Sequence, residues 1–418
     1  MLQSDGFVAA HRARPQDFVR QRTLTFPIMV ACLAQGMSHS LQIGLDDFFG
    51  RLAGRAELVR NASKSAFSQA RRKLKATVFA DLNAFLLDHW QTQVSEPLWH
   101  GFRLIAGDVT SLRLPTTPEL VAEFGEVGDR WGGAAPMAQA FALQAVHSGL
   151  LVHAELHPAR ARERSMLARS VGYLNGDDLL ILDRGFPAAW LFAWLGQHQR
   201  HFCCRIDSEA NAWLPDFIAS GETERIIEVT LSSQALRKAE AAGFTLSAPA
   251  FRYRAIRVDL PHGGVEVLAT SLLDSSAYPA GEFADLYHQR WRIEECFKLL
   301  KCRLAVEHFS GESPEAVRQD FLAKVWLGNL AASFAYFARI ALPESRKAHF
   351  KPNLTYAASA LKAKLPGWLL NLAFDAQGIQ ALLQLIARSL EWIRPGRSAP
   401  RPRQGVKPVR HRAYKPVR

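Results

Sequence analysis

The chain has 418 residues, of which 48% are hydrophobic and 22% are charged, and its formal net charge at pH 7 is +12. This composition is ordinary for a soluble globular protein of two or three domains with a sizeable apolar core. The five cysteines form no CxxC pair and are odd in number, which argues against a disulfide framework and favours a reducing compartment.

The N-terminal segment carries an acid and no apolar core of the kind found in a signal peptide. The apolar stretch 26–33 is far too short to span a membrane. No P-loop and no G-x-G-x-x-G pattern occurs, so nothing indicates nucleotide hydrolysis. We therefore expect a cytoplasmic protein without a membrane partner.

Residues 1–95 are predicted to be helical. The stretch LQIGLDDFFGRL is amphipathic, and after a loop SAFSQARRKLK forms a short helix that ends in four cations: Arg71, Arg72, Lys73 and Lys75. A helix, a turn and a basic helix are typical of a helix-turn-helix-like DNA-binding region, in which Arg71 and Arg72 contact DNA. The alternative is a packing helix with a charged outer face.

The catalytic-core candidate begins after residue 95. In FRLIAGDVTSLRLP the run Leu104–Ala106 predicts a strand that ends at Gly107, directly before Asp108. The segment MAQAFALQAVHSGLLVHAELHP predicts two further strands joined at residues 147–149, and a helix follows at 164–174. Asp108 is thereby predicted to lie at the end of a strand.

A second acid follows a second strand. Leu179–Leu182 is a short, wholly apolar run bounded by acids, which is typical of a buried central strand. Asp183 ends that strand, and Arg184-Gly185 turns the chain into the helix AAWLFAWLGQH. Three strands, a helix, a strand and a helix predict a mixed α/β layer resembling the ribonuclease H-like core.

The pattern changes after residue 204. The stretches RIIEVTL, FRYRAIRV and VEVLATSLL are strand signals, so residues 205–284 are predicted to form a β-rich insertion. Helices are predicted again over 313–393. The tail 394–418 contains nine Lys and Arg and no acid, and its removal would leave a net charge of +3. Such an arm suits a polyanion such as DNA.

Residues 285–304, DLYHQRWRIEECFKLLKCRL, contain no Gly or Pro, and their apolar residues have helical spacing. A second row at the same period consists of Tyr287, Arg290, Glu294, Lys298 and Lys301. A single straight helix would give Tyr287, Glu294 and Lys301 a row roughly 21 Å long. One interpretation is a solvated face with i, i+4 ion pairs, and the other is a metal-binding carboxylate flanked by phosphate-binding side chains.

The pattern Tyr287-x2-Arg290-x3-Glu294-x6-Lys301, with Trp291 after the arginine, resembles the signature of insertion-sequence transposases of the DDE class, in the branch typified by insertion sequence four. The resemblance extends over roughly residues 18–330. It implies that Glu294 is the third acid of a catalytic triad whose first two members are Asp108 and Asp183. The long spacing before Glu294 fits the insertion-bearing branch of this class.

The resemblance implies a reaction and its partners. Water cleaves DNA at the terminal inverted repeats, and the freed 3′-hydroxyl attacks target DNA without a covalent protein–DNA intermediate. The chemistry needs hard divalent cations with oxygen ligands, which predicts Mg²⁺, with Mn²⁺ as a substitute, on Asp108, Asp183 and Glu294. A homodimer would bring two ends together, and nucleoid association in a bacterial cell is implied.

The resemblance also assigns DNA contacts. Tyr287, Arg290 and Lys301 would bind phosphates of the transposon end, and Lys298 and Arg184 are further candidates. Some relatives stack an aromatic from an insertion strand on a flipped-out base during hairpin formation, but the strand GVEVLATSLL has none. Trp213 and Tyr253 are candidate substitutes.

The predicted architecture is therefore an α/β chain in five parts. They are an N-terminal helical DNA-binding region (1–95), a ribonuclease H-like mixed-sheet catalytic core (96–204 and 285–312), a β-rich insertion (205–284), a C-terminal helical region (313–393) and a basic tail (394–418). Two alternative functions stay open: a transposase-derived DNA-binding protein that has lost catalysis, and a structure-specific nuclease. Glu163 and Asp178, acids near Asp183 in sequence, are expected to be solvated.

Overall fold

The computed structural model describes residues 1–20, 22–37, 40–128, 133–206, 211–247, 250–260, 263–370 and 376–393. Within these ranges the α-helices are α1 (Asp5–His11), α2 (Phe26–Ala34), α3 (Leu41–Leu52), α4 (Lys64–Arg71), α5 (Thr77–Gln93), α6 (Pro118–Phe124), α7 (Glu163–Arg169), α8 (Ala189–Gln197), α9 (Leu214–Ser220), α10 (Ser233–Ala241), α11 (Phe283–His288), α12 (Trp291–Lys298), α13 (Pro314–Ile340), α14 (Glu344–Lys347), α15 (Leu354–Leu369) and α16 (Ala376–Arg388). The strands are β1 (Arg103–Arg113), β2 (Glu126–Gly128), β3 (Ala134–Ala145), β4 (Leu151–Pro158), β5 (Asp178–Leu182), β6 (His201–Ile206), β7 (Glu224–Thr230), β8 (Ala250–Asp259), β9 (Val265–Thr270), β10 (Phe350–Pro352) and β11 (Leu390–Trp392).

One mixed sheet holds most of these strands, in the order β2-β3-β1-β5-β6-β9-β8-β7, with β4 also paired to β3. β1 pairs in parallel with β5, and β5 in parallel with β6. Hydrogen bonds from Val146 N to Leu104 O and from Leu114 N to Pro136 O make β3 antiparallel to β1. β3 and β4 are joined by the predicted turn, and the helices α7 and α8 precede β5 and β6. The predicted ribonuclease H-like mixed sheet is confirmed.

The three strands predicted between residues 205 and 284 are present as β7, β8 and β9. β9 pairs antiparallel with β6, and β8 and β7 follow in antiparallel pairs. The β-rich segment therefore extends the core sheet at β6, because the backbone N–H and C=O groups along that edge form hydrogen bonds with β9.

The chain divides into two compact units. The first comprises Met1–Gln93, Ser111–Ala138 and, among the described residues, 298–393, and the second comprises Val94–Thr110 and Gln139–Phe297. The long helix α13 is the centre of the first unit, where α2, α5, α15 and α16 pack against it. In the described part of the chain α13 is also the one helix long and apolar enough to cross a membrane, but 72% of its most apolar window is buried inside the protein. It is therefore a core helix by its surroundings.

The signature segment is not the single straight helix that its periodicity predicts. α11 ends at His288, and α12 begins at Trp291 after a turn at Gln289-Arg290. Residues Leu299–Arg303 then form a π-helical turn, a feature that widens the helix and is frequent at functional sites. The expected straight row from Tyr287 through Glu294 to Lys301 is consequently wrong, because both intervals contain a change of helical geometry.

Candidate active site

Asp108 and Asp183 are placed side by side by the register of two parallel strands. Gly107 on β1 lies opposite Leu182 on β5, so the next residue on each strand is an aspartate. A Cβ at Gly107 would lie 2.9 Å from Leu182 Cδ2, and only glycine fits this approach without a shift of that side chain. Asp183 follows β5 as predicted, but Asp108 is not at a strand end, because β1 continues to Arg113. It lies where the parallel pairing with β5 stops.

Asp108 is the acid of this pair whose pKa the surroundings change most clearly. Its side chain is 19% exposed, and burial raises the pKa of Asp108 to about 6, an effect that the charges of Asp183 and Glu294 increase. A hydrogen bond from Val109 N to Asp108 Oδ1 (2.7 Å) and the charge of Arg290 lower the same pKa. Because the charges of Asp183 and Glu294 raise the pKa of Asp108, both other acids of the predicted triad lie within electrostatic reach of it.

Arg290 lies between two of the predicted acids. Its Nη2 donates to Glu294 Oε1 at 2.8 Å, and its Nη1 lies 3.8 Å from Asp108 Oδ2. The Arg290 side chain is only 8% exposed, and its Nε is buried without a hydrogen-bond partner among the described residues. Glu294, in the first turn of α12, is thus held by a cation four residues earlier along the chain.

The acids of this site bear on whether it can hold a divalent cation. Within the described ranges no three His, Cys, Asp or Glu side chains are arranged so as to hold a metal ion. Mg²⁺ in phosphate chemistry needs only one or two carboxylates, with phosphate oxygens and water completing the shell. Asp108 and Asp183 supply such a pair, and the like charges that raise the pKa of Asp108 favour a cation beside them. The donor set therefore fits a hard divalent ion, while Glu294 is bound to Arg290.

The remaining signature residues differ in their surroundings. Tyr287 is half-buried, and burial raises its pKa well above the usual range for a phenol. Lys301 Nζ donates to the carbonyl oxygen of Ser111 at 2.7 Å, and Lys298 is exposed. Arg184 is exposed beside a cavity of about 80 Å³, which Arg205 also lines.

Glu163 is a fourth acid at this site, and its expected solvation is wrong. It opens α7, and its Oε2 lies 2.5 Å from the position that a Cβ of Gly185 would take. Gly185 N donates to Asp183 Oδ1 at 2.8 Å, so the turn that carries Asp183 also lies against Glu163. Burial and the charge of Asp183 raise the pKa of Glu163. The sequence signal was the start of a helix directly before the strand that ends at Asp183.

Two other expectations need correction, those for Asp178 and Tyr253, and the expectation for Trp213 stays a prediction. Asp178 is 1% exposed and forms a salt bridge with Arg103, with 2.7 Å between Arg103 Nε and Asp178 Oδ1, so it is a structural acid and not a solvated one. Tyr253 is 3% exposed in the core against Phe192, and it is therefore closed to a flipped base. Trp213 packs against Tyr253 and Phe217 and is half-buried.

Arg71 is also not available to DNA. Its side chain is 5% exposed, and it donates to Gln319 Oε1 at 2.6 Å, Ser310 Oγ at 2.7 Å and Asp320 Oδ1 at 2.8 Å. These bonds occupy all three guanidinium nitrogens within the first unit. Arg72, the next residue, is exposed. The prediction of a DNA contact is therefore wrong for Arg71 and stands for Arg72.

Each of three comparisons with known proteins finds a match. A family model described as "Transposase DDE domain" matches residues 99–330. The chain is 25% identical over 389 residues to "Transposase InsG for insertion sequence element IS4" of Escherichia coli (strain K12), which covers 88% of this chain and 84% of that relative. The structure is similar to the cryo-EM structure of the piggyBac transposase synaptic complex with hairpin DNA, with a TM-score of 0.46 and 9% identity over 92% of this chain and 83% of that one.

Proposed function

The chain belongs to the DDE transposase family and is a transposase of the insertion-sequence-four type; from this premise we propose how it acts. It binds the terminal inverted repeats of its own element as double-stranded DNA. It then catalyses Mg²⁺-dependent strand cleavage and strand transfer through Asp108, Asp183 and Glu294, and Mn²⁺ can replace Mg²⁺. The observation that carries this proposal is the register that sets Asp108 beside Asp183, with the charge of Glu294 acting on the same carboxyl.

In the first reaction a water molecule attacks the scissile phosphorus, the bond to the 3′ oxygen breaks, and that oxygen leaves as a 3′-hydroxyl. In the second the hydroxyl attacks a target phosphodiester, which releases a different 3′ oxygen. A divalent cation, when bound, supplies Lewis acidity for both the attacking and the leaving oxygen. Asp108 and Asp183 would hold that ion as carboxylates, and because the pKa of Asp108 is raised to about 6, this residue is ready to bind a cation mainly above that pH.

Arg290 takes part as the buried cation of the site. Its paired nitrogen neutralises Glu294 before DNA arrives, and its unpaired Nε is a donor ready for a phosphate oxygen. A phosphate bound there would draw the guanidinium from Glu294 and free that carboxylate to complete the site. Tyr287, Lys298, Lys301 and Arg184 remain candidates for phosphate binding on the basis of the signature and of their positions.

The assembly and location follow from the substrate. Two ends of one element must be cut together, so we propose a homodimer in the synaptic complex. Chromosomal DNA as substrate implies a bacterial cytoplasmic protein associated with the nucleoid.

The test uses labelled duplexes that carry the inverted repeats flanking the gene, incubated with protein and Mg²⁺. Cleavage at the repeat boundary is expected from the wild type and from Glu295→Gln, a substitution of the exposed neighbouring acid. No cleavage is expected from Glu294→Gln. If the wild type and both variants bind the repeats but none of them cleaves, even when Mn²⁺ is supplied, the result would favour the transposase-derived DNA-binding protein. Cleavage that ignores the repeats and joins no strands would favour the structure-specific nuclease.

A further inference from the structure

Helix α4 is fixed at its N-terminal end by two polar contacts. Ser63 caps it, since its side-chain oxygen accepts from Ala66 N at 3.1 Å. Lys64 N donates to Gln42 Oε1 of α3 at 2.8 Å, and Gln42 Nε2 donates to Asp46 Oδ1 at 2.8 Å. The first turn of α4 is thus bound to α3 by backbone and side-chain groups together.

The loop before α4 is fixed by the same acid. Arg60 binds Asp46 through two nitrogens, with distances of 2.8 Å and 2.9 Å from Nε to the two carboxylate oxygens. Gln42 Nε2 also donates to the carbonyl oxygen of Ala62 at 3.0 Å. Asp46 is 6% exposed and therefore serves as a buried anchor for this loop.

The C-terminal end of α4 is fixed by the buried Arg71 and its four partners on the segment 310–320. The approach is close, because a Cβ at Gly311 would lie 2.9 Å from Arg71 Nη1. A buried arginine in a fully bonded network holds one orientation, since each displaced bond would leave a buried polar group unpaired. Both ends of α4 are therefore held in place before any ligand arrives.

The face of α4 opposite these anchors is exposed and polar. Phe67, Ala70 and Arg71 are buried. The exposed side chains on the helix and its C-terminal cap include Lys64, Ser65, Ser68, Gln69 and Arg72. With about 100° per residue, positions 65, 68, 69 and 72 share one side of the helix. The contacts made by this side are local: Ser68 Oγ donates to Lys64 O at 2.9 Å, and Gln69 Nε2 lies 3.4 Å from Ser65 Oγ.

We propose that α4 is the recognition helix of the protein and that Gln69 reads the base sequence of the terminal repeat in the major groove. The proposal rests on the function given above and identifies the residues that select the DNA end. The amide of Gln69 matches the acceptor and donor that adenine presents in the major groove, and Ser65 suits an adjacent base edge. Arg72, at the C-terminal end of this face, and the exposed Lys64, at the first residue of the helix and beside the face, bind the flanking phosphates. The alternative is a packing helix with a charged outer face, and it predicts that replacing Gln69 leaves the preference for the repeat duplex unchanged.

The experiment measures binding of the full-length protein to the repeat duplex and to random-sequence duplex, and then selects preferred sequences from a randomised pool. Gln69→Ala is expected to lower the affinity ratio between repeat and random duplex by about ten- to hundredfold, the usual loss for one bidentate base contact. Affinity for random duplex and the salt dependence should stay unchanged. Gln91→Ala, at an exposed glutamine of α5, is the matched control and should leave the ratio unchanged.

Two further variants separate base contacts from phosphate contacts. Lys64→Ala and Arg72→Ala should each weaken binding to both duplexes and reduce the salt slope by about one. If Gln69→Ala selects the same sequence with the wild-type ratio, the inference about α4 is wrong while the transposase proposal stands. If the wild type itself shows no preference for the repeats, both are overturned.

Discussion

Arg290 donates from Nη2 to Glu294 Oε1 at 2.8 Å and holds its Nη1 3.8 Å from Asp108 Oδ2. One buried guanidinium thus contacts the third acid of the predicted triad and faces the first. In the free protein the Arg290 cation offsets the negative charges of the Glu294 and Asp108 carboxylates. A bound metal ion would add positive charge beside these carboxylates, and DNA phosphates would add negative charge. We propose that Arg290 acts on this acidic site by releasing Glu294 when DNA phosphates bind.

Arg290→Ala should reduce strand cleavage by a factor of about 10² to 10³, the usual effect of removing one donor that stabilises developing charge. Arg290→Lys should recover only part of the rate, because an ammonium keeps the charge but loses the planar fork. Single-turnover cleavage of a labelled repeat duplex measures both. Arg292→Ala, an exposed arginine two residues on, is the control. Cleavage by Arg290→Ala at the wild-type rate would refute the proposed role of Arg290 in catalysis.

Asp108→Asn should stabilise the metal-free protein at alkaline pH while abolishing cleavage. The pKa of Asp108 in the folded protein is about 6, whereas an unperturbed aspartate has a pKa of 3.8, so the folded protein binds the proton more tightly than the unfolded chain. Stability from this group therefore rises as pH falls through the window from about 6 to 3.8, and above pH 6 the carboxylate costs on the order of 3 kcal/mol. Denaturant unfolding at pH 5 and pH 8, in the presence of a chelator, measures the difference.

The wild type should lose more stability than Asp108→Asn when the pH rises between those values. Added Mg²⁺ should stabilise the wild type at pH 8 and have little effect on the variant, since a ligand of the native state stabilises it by mass action. An equal pH response of the two proteins would contradict the burial effect.

Arg71→Ala should destabilise the protein by about 3–5 kcal/mol, because it leaves Asp320 buried without its cation. Arg72→Ala should leave the free energy of unfolding nearly unchanged and weaken DNA binding instead. Urea unfolding separates the two neighbouring arginines, which the sequence alone assigns to one class. The reverse pattern would restore Arg71 as a DNA contact.

Glu163→Gln should weaken metal affinity by about tenfold, the lower range for groups that support metal ligands. Its carboxylate lies against the Gly185 turn, where Gly185 N binds Asp183 Oδ1. Cleavage rate as a function of Mn²⁺ concentration gives the apparent affinity, and saturating metal should restore most of the rate. Glu119→Gln, at an exposed acid of α6, is the control. An unchanged midpoint for Glu163→Gln would remove this residue from the site.

Deletion of residues 394–418 should flatten the dependence of DNA affinity on salt. The tail carries nine cations, and each phosphate that it neutralises would release counterions. Its residues lie outside the described ranges, so this prediction rests on charge alone. Titrations of repeat duplex at several salt concentrations measure the slope. An unchanged slope would mean that the tail acts elsewhere.

The sequence predicts the core where one local signal is sufficient. The apolar run before Asp183 predicts a buried strand, and β5 is fully buried along its length. The sequence-based prediction is wrong for the end of β1. The pairing of β1 with β3 continues beyond the residues that pair with β5, and the hydrogen bond from Leu114 N to Pro136 O shows this. Partners distant in sequence decide where that strand ends.

The signature segment and Arg71 fail for a related reason. No Gly or Pro marks the break before α12, where Arg290 N and Arg292 N bond to carbonyls three residues earlier. A basic residue at the end of a short helix is normally exposed, but the partners of Arg71 lie 239 to 249 residues away. Local periodicity contains no information about such partners.

The salt bridge between Arg71 and Asp320 can form only after both residues have been synthesised, which sets an order of events during synthesis of the chain. Asp320 leaves the ribosome 249 residues after Arg71, roughly 12 to 50 seconds later at bacterial or eukaryotic elongation rates. Glu294 precedes Asp320, so the third acid is already made when α4 becomes fixed at its second end. If α4 reads the ends as proposed, we expect a nascent or prematurely terminated chain, which lacks that anchor, to compete poorly for them. Every chain in which both ends of α4 are anchored also carries all three acids.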